Sequence, residues 1–561
     1  MKFTKEHGIT LLALIITIIV LVILAGVALN TLFGNNGILN NSKYSTEQYT
    51  KSVEKEAIAL AFADLKMKLY TDDNITEITE ELLEQRLNDA GNNVEVTDGE
   101  NGNFVITFKD TGDQYEVTAN GKVLGEDKTE VGQGTSEYED EQQEELTPTN
   151  PDYFNYSISG ANATITGFSE LGITAYNNGE IDDLILPNEN PNGLVITSIG
   201  NSAFNGYTEI KGKVIIPDSV TSIGIRAFQN DSKITKVEFG SGLKTIGHSS
   251  FSGTGLTGEL VIPDSVTSIS GFGGNYHNYE NKGAFEGCTG ITNVRIGSNV
   301  TTIGSYAFSG CTGMTNIRIG EKVVTLEQYA FNGCTGLTNI VIPNSVTNMG
   351  NGVFYGCTGL TEITIPNNVT SIGNYTFYGC SAMTSVTLGN NITTIGERAF
   401  VGCRELAGTI IIPDSVTSIG IRAFQDDSKI TKVEFGSGLK TIGHSSFSGT
   451  GLTGELVIPD NVTDIGDFGG NYHNYENKGA FEGCTGITSI RIGTGLTSVK
   501  KYTFSGCTGI ISITIPNNVT TIGENAFNGC SSLTTVTYNG SNWNGITINS
   551  GNDPLVNAYN N

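Results

Sequence analysis

From Leu194 onward, apolar residues return on a 23-residue period, as in LTNIVIPNSVTNMGNGVFYGCTG at 337–359 followed by LTEITIPNNVTSIGNYTFYGCSA at 360–382. Within the first of these units Leu337, Ile340, Ile342, Val346, Met349, Phe354 and Cys357 are too few to bury one another. Stacked copies would share one continuous core, which is the physics of a solenoid. The Ile-Val-Ile run alternates as a short strand, Pro343 ends it, and Gly350 and Gly356 permit tight returns. Each copy is therefore expected to add one rung to a parallel sheet. A phenylalanine marks every copy: Phe204, Phe228, Phe251, Phe285, Phe308, Phe331, Phe354, Phe377, Phe400, Phe424, Phe447, Phe481, Phe504 and Phe527, fourteen turns in all.

The other end of the chain has a different pattern. Ile9 to Leu29 runs for 21 residues without a charge, about 31 Å as a helix and long enough to cross a bilayer. Lys2 and Lys5 precede it, so the remainder is expected on the outer side. Thr46 to Tyr70 reads as a helix extending outward, with Val53, Ala57, Leu60, Ala61, Leu65 and Leu69 near helical spacing. Glu80 to Ala90 reads as a second helix stopped by Gly91, and NVEVT, NFVITF and QYEVT as a small antiparallel sheet.

Charge sharpens this division. The net charge is −27, of which −22 falls in residues 1–193, and residues 126–145 carry nine acidic groups against one lysine, a solvated linker. Neither half has the basic patch that nucleic acid requires. The nine cysteines stand 23 residues apart at every gap but one, which suits one small buried thiol per turn and neither a disulfide framework nor a zinc site. No cofactor is expected.

Two resemblances follow from these residues. The template LxxIxIPxxVTxIGxxAFxGCxx resembles the BspA-like leucine-rich repeats of bacterial surface proteins. That resemblance implies a non-enzymatic, adhesin-like protein that binds host matrix proteins, host cells or other bacteria. It also implies an N-terminal cap in YSISGANATITGFSELGITAY at 156–176 and a C-terminal cap around Trp543. The leader MKFTKEHG with its apolar continuation resembles a type IV prepilin N-terminus, which implies cleavage between Gly8 and Ile9 by a prepilin-type peptidase. It departs from that pattern at the fifth mature position, where the usual Glu is Ala13. A cleaved signal ending near Ala28 and an uncut anchor are the alternatives.

The two 34-residue phenylalanine gaps each hold an eleven-residue insertion, FGGNYHNYENKGAFEGC occurring at 272–288 and again at 468–484. Residues 214–292 and 410–488 differ at six of 79 positions, so a duplication accounts for the recurrence. Phe272, Tyr276, His277 and Tyr279, with Phe468, Tyr472, His473 and Tyr475, are candidate binding-loop residues, because aromatic faces among Gly and Asn suit contact with a partner. The plain alternative is that they fold back over the solenoid. Two potential ligands per loop, His277 and Glu280, are too few for a metal site. His248 and His444, each beside a pair of serines, read as exposed turn residues with no catalytic assignment. The outward strand positions form a second candidate surface, with Arg295, Arg318 and Arg491 as anchors and Glu238 and Glu434 among them.

The expected organisation is a leader at 1–8, a transmembrane or pilin-like helix at 9–29, and a helix extension with a small α+β pilin-like head at 30–125. An acidic linker at 126–152, a cap at 153–193, a leucine-rich repeat solenoid at 194–540 and a C-terminal cap at 541–561 complete it. The expected function is cell-surface protein recognition from the membrane, with a minor pilin or pseudopilin component as the alternative. Expected partners are host or bacterial surface proteins, with the bulk of the chain extracellular and either pilus-associated or secreted as variants.

Overall fold

The computed structural model describes residues 58, 78–89, 93–99, 103–118, 147–208, 210–271, 282–466, 478–539 and 547–560. The chain divides into two compact units, 1–144 and 145–561. The apolar segment Ile9–Leu29 and the cleavage pair Gly8 and Ile9 lie outside the described residues, as do Trp543 and the predicted helix 46–70 apart from Ile58. Among the described residues no helix is long and apolar enough to cross a membrane.

In the first unit, helix α1 (Glu80–Asp89) precedes strands β1 (Val94–Asp98), β2 (Phe104–Phe108) and β3 (Gln114–Val117). The strands pair antiparallel in the order β1-β2-β3. Strand alternation sends Val94, Val96, Phe104, Ile106, Phe108, Tyr115 and Val117 to one face, where Leu83, Leu87 and Ile58 cover them. Both predicted motifs therefore form where the periodicity put them.

The second unit is a parallel β-solenoid. It begins with an antiparallel hairpin of β4 (Phe154–Ser159) and β5 (Asn162–Phe168), whose second strand pairs parallel with Val195–Ile199 and so caps the first turn. Ser169 then accepts a hydrogen bond from the Gly172 N–H at 3.2 Å and starts helix α2 (Glu170–Asn177). A Cβ at Gly172 would stand 2.0 Å from the Tyr153 carbonyl oxygen, which is why the helix closes on the cap only with glycine there.

Each turn then has three stacked parts. The first is a two-residue strand such as Ser222–Ile223 or Thr245–Ile246, paired in parallel with its equivalents before and after. The second is the phenylalanine corner. From Phe204 to Phe527, all thirteen successive ring pairs stack, with centroids 4.9–5.9 Å apart and planes within 23°. Beside the rings runs a backbone ladder, in which each Phe N–H donates to the carbonyl before the next Phe, as in Phe354 to Thr376 at 2.9 Å. The final donor, Phe527 N–H, has no further turn to meet and is satisfied by the buried Asn552 side chain at 3.0 Å.

The third part is the Ile-x-Ile strand, and here the expectation of one rung per copy is corrected. These strands form separate parallel sheets, and the run Ile340–Ile342 has no strand pairing at all. All five breaks fall before a strand that ends in proline: Pro263, Pro343, Pro366, Pro413 or Pro459. No strand ending in Gly240, Gly297, Gly320, Gly389, Gly436 or Gly493 is parted from the strand before it. Where Asn539 stands in the proline position its N–H donates back to the Ile515 carbonyl at 3.0 Å, although the glycine-ended strands pair without that bond. Proline at that position has no N–H to donate. Pro217 and Pro516 keep their backward pairing, so proline permits a break without compelling one.

Replacing Asn552 by Ala should leave the Phe527 N–H buried and unpaired, at a cost of about 1–3 kcal/mol. Hydrogen exchange should then show faster opening of the turns at Phe504 and Phe527 while the turns near Phe308 keep their protection. Equal protection at both ends would refute this role for Asn552.

Candidate functional site

The eight loop candidates Phe272, Tyr276, His277, Tyr279, Phe468, Tyr472, His473 and Tyr475 lie outside the described residues. The structure does describe how each insertion returns to the solenoid. Ser249 Oγ accepts from the Lys282 N–H at 2.7 Å and donates to the Lys282 carbonyl at 2.9 Å. Ser445 holds Lys478 in the same way, at 2.7 and 2.8 Å. Glu286 and Glu482 then take the N–H groups of Gly283 and Gly479 at 2.9 and 2.8 Å.

These contacts correct the reading of His248 and His444 as exposed. Both rings are half-buried, with Nδ1 3.3 and 3.2 Å from the hydroxyls of Ser249 and Ser445, and those serines are fully buried. Burial, with Arg226 nearby, lowers the His248 pKa. The Ser249 and Ser445 hydroxyls already bond both the N–H and the carbonyl of one residue, so they act as clasps at the loop base. Sequence showed the His-Ser adjacency and not the burial, which comes from a residue 33 positions away.

On the strand face the structure brings several predicted residues together. Arg295 and Arg318 are opposite one another in adjacent strands, with Val261 opposite Arg295 on the other side. Asp264, which accepts from the Ser298 N–H, is held below the usual carboxylate range by that bond, with help from the two arginines. Arg491 faces Val457 and Thr514 in the equivalent place of the duplicated segment and reaches Asp460 at 3.7 Å. Glu238 and Glu434 are each engaged by a lysine of their own strand, Lys236 at 2.9 Å and Lys432 at 2.6 Å. Between the arginine and glutamate groups of this row stand Val341, 75% exposed, and Ile411, 65% exposed.

Two further features were not read from the sequence. The residue two before each phenylalanine is left-handed in most turns, including Tyr306, Tyr329, Tyr375, Arg398 and Tyr502 at φ of 52–59°. Each such non-glycine residue costs about 1 kcal/mol. The tyrosines among them are half-buried, and Tyr329 and Tyr375 meet tyrosines that directly follow a phenylalanine, whereas Ser249, Arg422 and Ser445 at the same position are buried. Tyr306 stacks on Tyr329 at 5.1 Å, Tyr329 meets Tyr355 edge-on at 6.0 Å, and Tyr355 stacks on Tyr378 at 4.8 Å. Gly352 is required in this row, because its Cβ would lie 2.3 Å from the Tyr329 ring. Arg398 closes the row, donating to the Tyr375 hydroxyl at 2.6 Å. The signal was present as recurring tyrosines on either side of the marker phenylalanine.

The second feature is in the thiol column. All nine cysteines are free and buried, and each donates its S–H to a phenylalanine carbonyl at 3.1–3.2 Å, as Cys311 does to Phe285. Desolvation raises every one of these thiols, so they are neither thiolate nucleophiles nor ready metal ligands. Among the described residues no group of three or more His, Cys, Asp or Glu could hold a metal ion. Asp231 and Asp427 take the cysteine's place in two turns, fully buried, with no hydrogen-bond partner for either carboxylate oxygen. Burial pushes the Asp231 carboxyl up to about 8 and the Asp427 carboxyl well up. The N–H groups of Gly206 and Tyr207 near Asp231 offer little relief, since they are committed to the carbonyls of Gln229 and Phe204.

A parallel solenoid with a 23-residue turn, a stacked phenylalanine corner and a hairpin cap defines the class of fold. Residues 150–273, 278–368, 350–473 and 474–550 match the BspA type leucine-rich repeat region, and the chain belongs to that family. Among solved structures it is similar to a leucine-rich repeat protein from Bacteroides ovatus, at 24% identity over 65% of this chain and 94% of that one, TM-score 0.49. It is also similar to a leucine-rich cell surface protein from Faecalibacterium prausnitzii, at 24% identity over 71% and 97%, TM-score 0.36. A third is the pneumococcal vaccine antigen PcpA, at 15% identity over 67% and 92%, TM-score 0.38. No curated protein matches the chain.

The buried carboxyls set a pH dependence. Asp231 keeps its proton in the folded chain between about pH 4 and 8, whereas the unfolded chain releases it near pH 4. Folding therefore takes up a proton in that window, and stability is greatest below it and falls as pH rises towards 8. Replacing Asp231 and Asp427 by Cys, the residue used in other turns, should raise stability at pH 8 by a few kcal/mol and flatten the decline. Thermal unfolding from pH 4.5 to 8.5 checks this, and an unaltered profile would exclude these carboxyls as its source.

Proposed function

We propose that the chain is a cell-surface binding protein that recognises host or bacterial surface proteins without covalent chemistry, through the exposed row of its Ile-x-Ile strands. The observation that carries this reading is that row itself: Val341 and Ile411 stand out from a rigid scaffold, flanked by Arg295 and Arg318 on one side and Glu434 and Arg491 on the other. Exposed aliphatics between arginines are the composition of an interface centre with a charged rim. The family to which the solenoid belongs supports the same reading. The inserted loops, with their clasped bases, are proposed as secondary contacts to the same partner.

Display at the membrane by the Ile9–Leu29 helix, after cleavage between Gly8 and Ile9, belongs to this proposal and rests on the sequence. Mass spectrometry of the protein from its native cells should find a chain beginning at Ile9. A start at or beyond Leu29 would mean release from the cell, and one at Met1 an uncut anchor.

For the row itself, Val341→Asp with Ile411→Asp, and separately Arg295→Ala with Arg318→Ala, should each lower attachment of displaying cells to host cells and matrix protein by about tenfold or more. Thermal unfolding should shift little, because these side chains are outside the core. Attachment equal to that of the parent chain in both variants would remove the strand face as the docking surface.

A further inference from the structure

The tyrosine row ends beside a cleft of about 470 Å³ that the strand-face reading does not use. Tyr355 and Tyr378 occupy the same place in successive turns, directly after the marker phenylalanine, and stack at 4.8 Å with planes 7° apart. The next two residues in that column are Val401 and Gln425. Val401 stands in the column where a third ring would follow Tyr378, and the cleft is lined by Tyr378, Val401, Gln425 and Asp426 among others. Its lining also includes residues with hydrogen-bonding side chains from four turns: Thr358, Ser381, Arg404, Gln425 and Asp426. Gln425 is only 9% exposed, and its amide donates to Asp426 at 3.2 Å; the other Asp426 oxygen faces Lys478 at 3.4 Å.

We propose that this cleft binds a neutral pyranose unit of a glycan, stacked on Tyr378 in the place of the missing ring. The site offers one flat apolar wall and polar side chains in its lining, and a pyranose is a ring with an apolar face and hydroxyls around its edge. An aromatic side chain from a protein would match the flat wall and make no use of the Thr358, Ser381 and Arg404 side chains, which the hydroxyls of a pyranose can meet. The lining carries one positive and one negative side chain, Arg404 and Asp426, a mixture that suits uncharged hydroxyls able to donate and accept. The duplication did not copy the cleft: in the earlier segment Gln229 and Asn230 follow a turn that has Asn205 and Thr208 in place of Val401 and Arg404. The site is built from the turns from Phe354 to Phe424.

The test uses the full chain in a detergent without a sugar headgroup, with cellohexaose, maltohexaose and mannohexaose as probes. Saturation-transfer NMR and calorimetry should show saturable binding of at least one of them. Tyr378→Ala should weaken it about tenfold, and Val401→Tyr, which fills the gap with the missing ring, should do the same or more. Tyr378→Phe keeps the stacking face and should retain binding, and near-ultraviolet circular dichroism identifies any variant that fails to fold. The proposal is overturned if none of the three sugars saturates, or if folded Val401→Tyr binds as the parent does. It is equally overturned if Val401→Tyr abolishes capture of a tyrosine-rich peptide of similar length and leaves sugar binding untouched. Attachment through the strand face should be unaffected by Val401→Tyr, so the two proposals fail independently.

Discussion

Everything in the solenoid depends on the phenylalanine corner. Its rings stack without interruption through fourteen turns, and its N–H groups form a backbone ladder of the same length. The pairing of the Ile-x-Ile strands, by contrast, is interrupted five times. A repeat array is stable only as far as neighbouring turns are coupled, and here the coupling that never lapses is aromatic stacking joined to one amide hydrogen bond per turn. Both ends of the column are closed by dedicated residues. Phe154 and Phe168 pack on Phe204 at 6.0 and 5.0 Å, and Asn552 supplies the acceptor that a fifteenth turn would have provided.

That continuity frees the rest of each turn to vary. The Ile-x-Ile strands can part from their neighbours, as at Ile340–Ile342, where Val341 is prominently exposed. An eleven-residue insertion can leave one turn and return to it because Ser249 or Ser445 clasps its end while Phe251 and Phe285, or Phe447 and Phe481, remain stacked. The same tolerance admits Asp231 and Asp427 into a column otherwise filled by Cys, Thr and Tyr. A protonated carboxyl has a donor as a thiol does, whereas a carboxylate has none. The substitution is therefore compatible with the fold and makes its stability respond to pH.

The surfaces follow from which positions of each turn stay outside the core. Left-handed residues before the phenylalanine, and the residue directly after it, together build the tyrosine row that ends at Val401. The strand positions build a separate row with its own arginines and exposed aliphatics. The two differ in chemistry, one offering a ring-sized gap with a hydrogen-bonding lining and the other a flat strip suited to a protein.

Sequence alone determined the 23-residue turn, the marker phenylalanines, the buried thiol of the nine turns that carry a cysteine, and the helix and three strands between Glu80 and Val117. These are regularities of burial, and burial repeats with a period that can be read along one chain. The tertiary structure decided what depends on the neighbouring turn. Whether a strand pairs is a relation to the turn before it: all five breaks precede a proline-ended strand, yet the strands ending at Pro217 and Pro516 keep their pairing. The burial of Ser249 is settled by Lys282, and the lean of Tyr329 by the absence of a side chain at Gly352. In a solenoid each side chain meets residues one turn before and one turn after it, so its surroundings are set by stacking rather than by its sequence neighbours.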